Sequence, residues 1–137
     1  MTRREEISQM RRSYGDAGLT ESDLAANPIE QFLKWLEQAA ENEFIVEANA
    51  MVLSTNSPDG PSSRSVLLKE VHGGGFTFFT NYESNKGKAI SNDPRVSLLF
   101  PWYPMERQVI VRGVAQRVSR EISEEYFATR PWGSQIG

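Results

Sequence analysis

The chain has 137 residues, a mass of 15.5 kDa and a net charge of −3. This length fits one domain, and a hydrophobic fraction of 39% is sufficient for a core, which excludes a wholly disordered chain. The sequence has no cysteine and a single histidine, His72, and this argues against thiolate, zinc–thiolate and Ser-His chemistry. No apolar run reaches membrane-spanning length, and no secretory signal pattern is present. These features predict a soluble, cytoplasmic protein in which a cofactor supplies the reactive group of any reaction.

Charge is distributed unevenly along the chain. Residues 1–50 contain ten acidic and five basic side chains, whereas residues 51–137 contain eight acidic and ten basic ones. Eleven of the fifteen basic residues are arginine, which binds phosphate through a planar fork of donors. The negative total argues against nucleic-acid binding. Two interpretations stay open: a solvated surface, or an anionic small ligand held by the second part of the chain.

Two helices are predicted before the strands begin. Residues 3–14 favour a short helix that ends at the glycines around 15–18. A second helix begins at Pro28 after the N-cap Asn27, with Glu30 completing a capping box, and extends to about Glu41. Its predicted buried stripe comprises Ile29, Phe32, Leu33, Leu36 and Ala40.

The chain from Ala48 onward has the pattern of strands separated by short turns. Ser57 to Pro61 and the glycines after His72 are turn signals, and shorter helices are predicted at 84–91 and 119–129. The predicted strands are Ala50–Thr55, Ser63–Val71, Phe76–Thr80, Arg95–Trp102 and Arg107–Val118. Five strands at this spacing predict a mainly β protein with flanking helices, built as a small antiparallel barrel or sandwich.

Four segments carry residues suited to binding an anion or a heteroaromatic ring. The segment Arg64–Lys69 has a base at each end of an apolar strand. Strand alternation would put the two bases on opposite faces, so charged strand rims are the simpler interpretation. The segment from Thr80 to Lys88 leads into a helix start, where free N–H groups attract anions, although a capped helix with solvated lysines is the simpler interpretation.

The other two segments lie further along the chain. Gln108 opens a strand, where its amide can bond a ring or simply lie at the rim. Tyr126 and Arg130 are one helical turn apart and Ser134 follows a proline, so the three can converge on a phosphate, or Arg130 can serve only the helix end. His72 is predicted to lie on the surface.

Taken in order, these segments resemble the pyridoxamine 5′-phosphate oxidase family. The resemblance covers nearly the whole chain. Its most specific parts are Glu106-Arg107-Gln108-Val109 and the segment from Arg130-Pro131 to Ser134-Gln135-Ile136-Gly137. The other matching segments are Met10–Tyr14, Asn27-Pro28 with Trp35-Leu36, Ala50-Met51, Arg64–Lys69, Phe79–Asn81 and Asn92–Trp102. The resemblance implies an FMN-binding split β-barrel, antiparallel and Greek-key-like, that is a homodimer with FMN held between the subunits.

The resemblance also implies roles for individual residues. The implied FMN contacts are Arg64, Ser65, Val66, Leu67, Leu68, Phe79, Thr80, Lys86 and Gln108. The implied contacts to the substrate phosphate are Lys69, Tyr126, Arg130 and Ser134. Arg11 and Tyr14 match an arm that closes over the site, so residues 1–20 are predicted to be a mobile N-terminal arm and residues 21–137 the barrel domain. We predict no catalytic side chain and no metal, and candidates for the dimer surface are Phe100, Trp102 and Val109.

The sequence departs from the family pattern in two places. Asn85 stands where the family usually has arginine, which removes a charge from the expected phosphate site, and Lys88 is a candidate to replace it. The family pattern also continues beyond Gly137 with further FMN contacts and an Arg-x-His motif, so the chain resembles a truncated or a shortened member.

The implied reaction is FMN-dependent oxidation of pyridoxine or pyridoxamine 5′-phosphate to pyridoxal 5′-phosphate, with O₂ as acceptor and H₂O₂ as product. The implied partners are this substrate and a second copy of the chain, with no nucleic acid and no membrane. Two alternatives stay open: a non-catalytic protein that binds FMN or pyridoxal phosphate, and another flavin-dependent oxidoreductase on the same barrel.

Overall fold

The computed structural model describes residues 3–10, 21–80 and 85–118. Within these ranges the helices are α1 (Arg3–Gln9), α2 (Pro28–Glu41) and α3 (Asn85–Asn92), and single 3₁₀ turns lie at Glu21–Asp23 and Tyr103–Met105. None of the described helices is long and apolar enough to cross a membrane. The predicted helix at 119–129 and most of the predicted N-terminal arm lie outside the described residues.

Helix α2 begins and ends where the sequence predicts. The Oδ1 atom of Asn27 accepts a hydrogen bond from the backbone N–H of Ile29 at 2.8 Å, which caps the first turn. The predicted return bond from Glu30 is wrong, because Glu30 makes no such bond to any described residue. Instead Oε1 of Gln31 accepts from the backbone N–H of Ala25 at 2.6 Å and fixes the chain that enters the helix.

The buried face of α2 is rotated relative to the predicted stripe. Phe32 and Ala39 are buried, and Trp35 and Leu36 pack against the same core. Leu33 is 44% exposed, so its assignment to the core is wrong. Ala40 is also exposed. Phe32, Trp35, Leu36 and Ala39 stand at i, i+3, i+4 and i+7 and so share one face of the helix, whereas Leu33 and Ala40 lie beside that face.

The described strands are antiparallel and confirm the predicted mainly β class. They are β1 (Ala50–Ser57), β2 (Gly60–Leu67), β3 (Glu70–His72), β4 (Gly75–Thr77), β5 (Arg95–Phe100) and β6 (Val109–Val114). Four of them form a sheet in the order β2-β1-β5-β6, and β3 pairs with β4 in a second sheet. The central strand β1 is therefore paired on both sides, and α3 packs against it.

The strand predicted over Ser63–Val71 is in fact two strands. The backbone N–H of Leu68 still bonds the carbonyl of Asn49 beside β1, at 2.8 Å. The next N–H, of Lys69, bonds the carbonyl of Thr77 at the end of β4, also at 2.8 Å. The chain thus passes from the four-stranded sheet to the two-stranded sheet between these two residues. Neighbouring residues of an apolar run carry no signal for such a change of partner.

One face of the four-stranded sheet, which we call the inner face, forms the core. Met51, Leu53, Leu98 and Phe100 are buried there, and the aromatic rings of Phe32, Phe76, Phe100 and Trp102 pack against one another. Trp102 is anchored by a hydrogen bond from its Nε1 to the carbonyl of Ala48 at 3.0 Å.

Two of the three candidates for the dimer surface are buried within the chain itself, and the third, Val109, is half-buried. Phe100 and Trp102 are 0% and 2% exposed, and Val109 packs against the same core. The opposite, outer face of the sheet is the one with exposed apolar side chains, Ile110 at 52% and Val114 at 63% exposed. The prediction failed because it assigned hydrophobic residues to a surface without the strand register that decides which face each one takes.

The turn between α3 and β5 contains an ion pair with a testable pH dependence. Nε and Nη2 of Arg95 donate to the two carboxylate oxygens of Asp93 at 3.0 and 2.8 Å. These bonds lower the pKa of Asp93 from 3.8 to about 2. Because the folded pKa is depressed, the stabilisation is complete above the ordinary pKa and is lost as the pH falls through about 2.

We expect an NMR titration of the Asp93 carboxyl to show this depressed pKa and Arg95→Ala to return the pKa towards 3.8. The Arg95 side chain is 76% exposed, so added salt should weaken the effect. An Asp93 titration that is the same in both proteins would contradict the pairing.

Candidate functional site

The β1–β2 hairpin positions Arg64, the first residue of the predicted FMN segment. Ser57 pairs with Gly60 across a turn formed by Pro58 and Asp59. Gly60 has a φ of 114°, a conformation that strongly favours glycine. This turn sets the register, which places Leu53 opposite Arg64 and the Thr55 position opposite that of Ser62. Arg64 therefore lies on the inner face, at the end where the apolar core gives way to polar side chains.

The Arg64 guanidinium is held by neutral oxygen atoms of both strands. Nη1 donates to the carbonyl of Leu53 at 3.0 Å and, more weakly, to the carbonyl of Ser62 at 3.5 Å. Nη2 donates to the hydroxyls of Thr55 and Ser62, each at 2.8 Å. Thr55 is only 3% exposed, whereas Ser62 is exposed. The guanidinium thus has a buried partner on one side and an accessible partner on the other.

The charge of Arg64 has no counter-ion among residues 3–10, 21–80 and 85–118. Its four hydrogen bonds within these ranges go to uncharged acceptors, and no carboxylate of the same ranges lies within ion-pairing distance. A half-buried cation of this kind favours an anionic ligand, and the planar guanidinium matches the geometry of phosphate. The residues present therefore fit the phosphate of a cofactor such as FMN.

Lys69, the other base of this segment, lies just beyond the end of β2. Its backbone crosses to the second sheet, as described above, and the side chain is exposed. The preceding residue is fixed by Asn49, whose Nδ2 donates to the carbonyl of Leu68 at 2.9 Å. Leu68 is itself buried in the core. Lys69 is thus separated from Arg64 by a change of sheet, which allows the two bases to serve different ligands.

The remaining predicted FMN residues come from three different elements. Val66 is buried with the core, Leu67 is half-buried and Ser65 is exposed. Phe79 and Thr80 follow β4 and are half-buried. Lys86 belongs to α3, the helix that packs on β1, and Ala89 of that helix is buried. The structure therefore brings the helix that carries Lys86 against the strand whose Thr55 holds Arg64, while the Lys86 side chain lies outside the description.

Gln108 is exposed and directly precedes β6. The backbone before it is strongly constrained, because Glu106 adopts a left-handed conformation with a φ of 56°. Arg107 then bridges to α2: its Nη1 donates to Oε1 of Gln38 at 2.7 Å, and its guanidinium lies 4.7 Å from the centre of the Trp35 ring. A half-buried cation–π contact thus fixes the residue before Gln108 and leaves the amide accessible.

Several predicted site residues lie outside the described ranges. These are Arg11, Tyr14, Tyr126, Arg130 and Ser134. His72, in contrast, is described and is exposed, as predicted for a surface residue.

Sequence reasoning missed Thr55, Ser62 and Asn49, the residues that hold Arg64 and Leu68. Thr55 had a detectable signal, because it continues the alternation of Met51 and Leu53 and is therefore a hydroxyl on the buried face of its strand. A buried hydroxyl requires a hydrogen-bond partner, and the hairpin register supplies Arg64. Among the residues described, no group of three His, Asp or Glu side chains is arranged to hold a metal ion.

Comparison with known proteins gives consistent matches. The family model described as pyridoxamine 5′-phosphate oxidase matches residues 37–137. A pyridoxine/pyridoxamine 5′-phosphate oxidase of Prochlorococcus marinus is 52% identical over 97% of this chain, and one of Streptomyces avermitilis is 49% identical over 100%. The chain spans 60% and 64% of the length of these two relatives.

Solved structures share the fold. PhzG from Burkholderia lata 383, in complex with tetrahydrophenazine-1-carboxylic acid, matches with a TM-score of 0.76 and 25% identity over 85% of this chain and 58% of its own. A pyridoxamine 5′-phosphate oxidase-related, FMN-binding protein of Nostoc punctiforme matches with a TM-score of 0.58 and 17% identity over 77% of this chain and 57% of its own. The predicted split-barrel fold is confirmed, and the chain belongs to the pyridoxamine 5′-phosphate oxidase family.

Proposed function

We propose that the protein binds FMN and oxidises pyridoxine or pyridoxamine 5′-phosphate to pyridoxal 5′-phosphate. The observation that carries the proposal is the Arg64 guanidinium, a fixed cation with only neutral partners in the described ranges, on a segment that fits the family. FMN held by Arg64 and Lys86 would supply the redox chemistry, namely acceptance of a hydride equivalent from the C4′ carbon of the substrate and reoxidation by O₂ with H₂O₂ as product.

The chain's own residues bind and orient the two phosphorylated molecules. Arg64 and Lys86 hold the FMN phosphate, and the accessible amide of Gln108 bonds the flavin ring. In support, β1 joins the Arg64 network to the helix that carries Lys86. Asn85 stands where the family pattern has a charged arginine. The exposed Lys88 of the same helix supplies the positive charge in its place.

A second phosphate, that of the substrate, is held by a separate set of residues. Lys69 supplies a point charge, Arg130 a planar fork, and Tyr126 and Ser134 neutral donors, while Arg11 and Tyr14 close the site. A phosphate dianion that leaves water needs several donors and at least one fixed positive charge, which this set provides. The change of sheet between Arg64 and Lys69 supports two distinct phosphate sites.

We further propose that the protein is a cytoplasmic homodimer that pairs through the outer face of the four-stranded sheet. Exposed Ile110 and Val114 lie on that face, and half-buried Val52 and Leu99 continue the apolar surface beside Ile110. Light scattering of the FMN-loaded protein should give twice the 15.5 kDa chain mass. A species of monomer mass at micromolar concentration would contradict the dimer.

The function is tested by adding FMN to the purified chain, recording the visible spectrum and the quenching of flavin fluorescence, and assaying H₂O₂ with pyridoxine 5′-phosphate under air. We expect saturable FMN binding and slow peroxide formation that requires both FMN and the substrate phosphate. Unphosphorylated pyridoxine is the matched control and should react far more slowly. Binding without peroxide would instead indicate a non-catalytic FMN-binding protein.

Arg130→Ala tests the substrate-phosphate set separately. Calorimetric titration should show pyridoxal 5′-phosphate binding weakened by at least about tenfold, because the variant loses a charge-assisted fork of hydrogen bonds. Arg130→Lys keeps the charge but loses the planar fork, so its affinity for pyridoxal 5′-phosphate should lie between those of the wild type and Arg130→Ala. Equal affinity in all three proteins would remove Arg130 from the site.

A further inference from the structure

The buried hydroxyl of Thr55 bonds Arg64 but has no part in the FMN binding proposed above. Thr55 is 3% exposed, and the other residues buried in the described part of the chain are hydrophobic. Its hydroxyl oxygen accepts a hydrogen bond from Nη2 of Arg64 at 2.8 Å. A polar group in this position lowers stability unless it is satisfied, and the partner that satisfies it is the cation proposed to hold a phosphate.

The donors of Arg64 are almost fully occupied in this conformation. A guanidinium has five N–H groups, and the two Nη atoms make four hydrogen bonds, two to the inner partners Leu53 and Thr55 and two to Ser62. A phosphate that takes a bidentate grip on Arg64 must therefore displace acceptors. The buried pair is inaccessible, whereas Ser62 is exposed and one of its bonds is long, at 3.5 Å.

We propose that Thr55 is a positioning residue that fixes the Arg64 guanidinium from its buried side, and that Ser62 is the partner that the FMN phosphate displaces. The inference rests on the proposed FMN function. A guanidinium held in place loses less conformational entropy when the anion binds, so Thr55 raises the affinity without touching FMN. Ser62 accepts hydrogen bonds from Arg64 when FMN is absent, and it competes with the phosphate for the same N–H groups.

Substitutions of Thr55 and Ser62 should therefore have different effects on FMN affinity. Thr55→Val keeps the shape of the side chain and removes the acceptor, and it should weaken FMN binding by about fivefold. Thr55→Ser restores the hydroxyl and should bind within about twofold of the wild type. Ser62→Ala removes the competing acceptor at an exposed site and should bind FMN as tightly as the wild type or more tightly. Affinities are measured by flavin fluorescence titration at one ionic strength.

A purely structural role for Thr55 would lower the melting temperature and leave the affinity of the folded protein unchanged. NMR of the Arg64 side chain gives a readout without FMN, because an immobilised guanidinium shows separate Nη signals that merge when it rotates. We expect separate signals in the wild type and in Thr55→Ser, and merged signals in Thr55→Val.

Unchanged FMN affinity in Thr55→Val would overturn the inference while leaving the proposed function in place. Weaker binding by about fivefold in Ser62→Ala would overturn it too, and this exposed substitution gives a result even if Thr55→Val does not fold. A wild-type chain that binds no FMN would overturn the proposed function and this inference together.

Discussion

Arg64→Ala is expected to weaken FMN binding by at least about tenfold. The variant loses a charge-assisted contact to the phosphate, which contributes roughly 1.5–3 kcal/mol, and about 1.4 kcal/mol corresponds to a factor of ten. The charge has no competing carboxylate in the described part of the chain, so only neutral acceptors compete with the ligand for it. Fluorescence titration with free FMN measures the change directly.

Two further variants separate the charge from its geometry. Arg64→Lys keeps the charge but loses the planar fork and the paired bonds to Leu53 and Thr55, so its affinity should lie between those of Arg64→Ala and the wild type. Lys34→Ala removes an exposed charge on α2 and should leave FMN binding unchanged. If Arg64→Ala and Lys34→Ala bind FMN equally well, Arg64 is not a phosphate ligand.

Phe100→Ala is expected to lower the free energy of unfolding by about 3–5 kcal/mol. Phe100 is 0% exposed, and its ring centroid lies 4.9 Å from that of Phe32 and 5.4 Å from that of Trp102. Truncation leaves a cavity between the sheet and α2 and removes the ring contacts that join them. Urea denaturation followed by tryptophan fluorescence measures the loss.

The matched control for Phe100 is Phe44, whose side chain is 75% exposed. Phe44→Ala should change the free energy of unfolding by no more than about 0.5 kcal/mol, as expected for a surface site. If Phe44→Ala and Phe100→Ala lower the free energy of unfolding by similar amounts, Phe44 is also buried in solution. The burial of Phe100 would then not explain the larger loss expected for it.

Local signals predicted the parts of the fold that local chemistry decides. Asn27 and Pro28 gave the start of α2, because a cap and a proline act within one turn. The turn around Pro58 and Gly60 gave the β1–β2 hairpin, and its two-residue loop also fixes the register that pairs Leu53 with Arg64.

The errors arose where a partner distant in sequence decides the outcome. The single strand predicted over Ser63–Val71 divides because Lys69 bonds Thr77 of another sheet. Leu33 was assigned to the core and is exposed, and Phe100 was assigned to the dimer surface and is buried. Hydrophobicity alone does not say which face of a helix or sheet meets the core. Contacts between distant segments decide where a strand ends and which of its residues are buried, and a propensity scale contains no term for such contacts.

The candidate site was predictable to a similar extent. The resemblance supplied Arg64 as an FMN ligand, a role that stays a prediction, but gave no reason for its position. Thr55 and Ser62 were missed because they contribute only through the register of the hairpin, which brings both hydroxyls to one guanidinium. Ligands are recognisable from their own chemistry, whereas the residues that support them become visible only when the strands are paired.

The position of β1 in the middle of the four-stranded sheet also governs how the chain folds during synthesis. Its first partner, β2, follows after a two-residue turn, and hairpins of this kind typically form in about 1–10 μs. Its second partner, β5, begins at Arg95, so one edge of β1 is without its native partner until that segment leaves the ribosome. An unpaired edge is a template for association with other chains. In the interval between the emergence of β1 and that of β5, dilution or chaperones therefore protect this unpaired edge from aggregation.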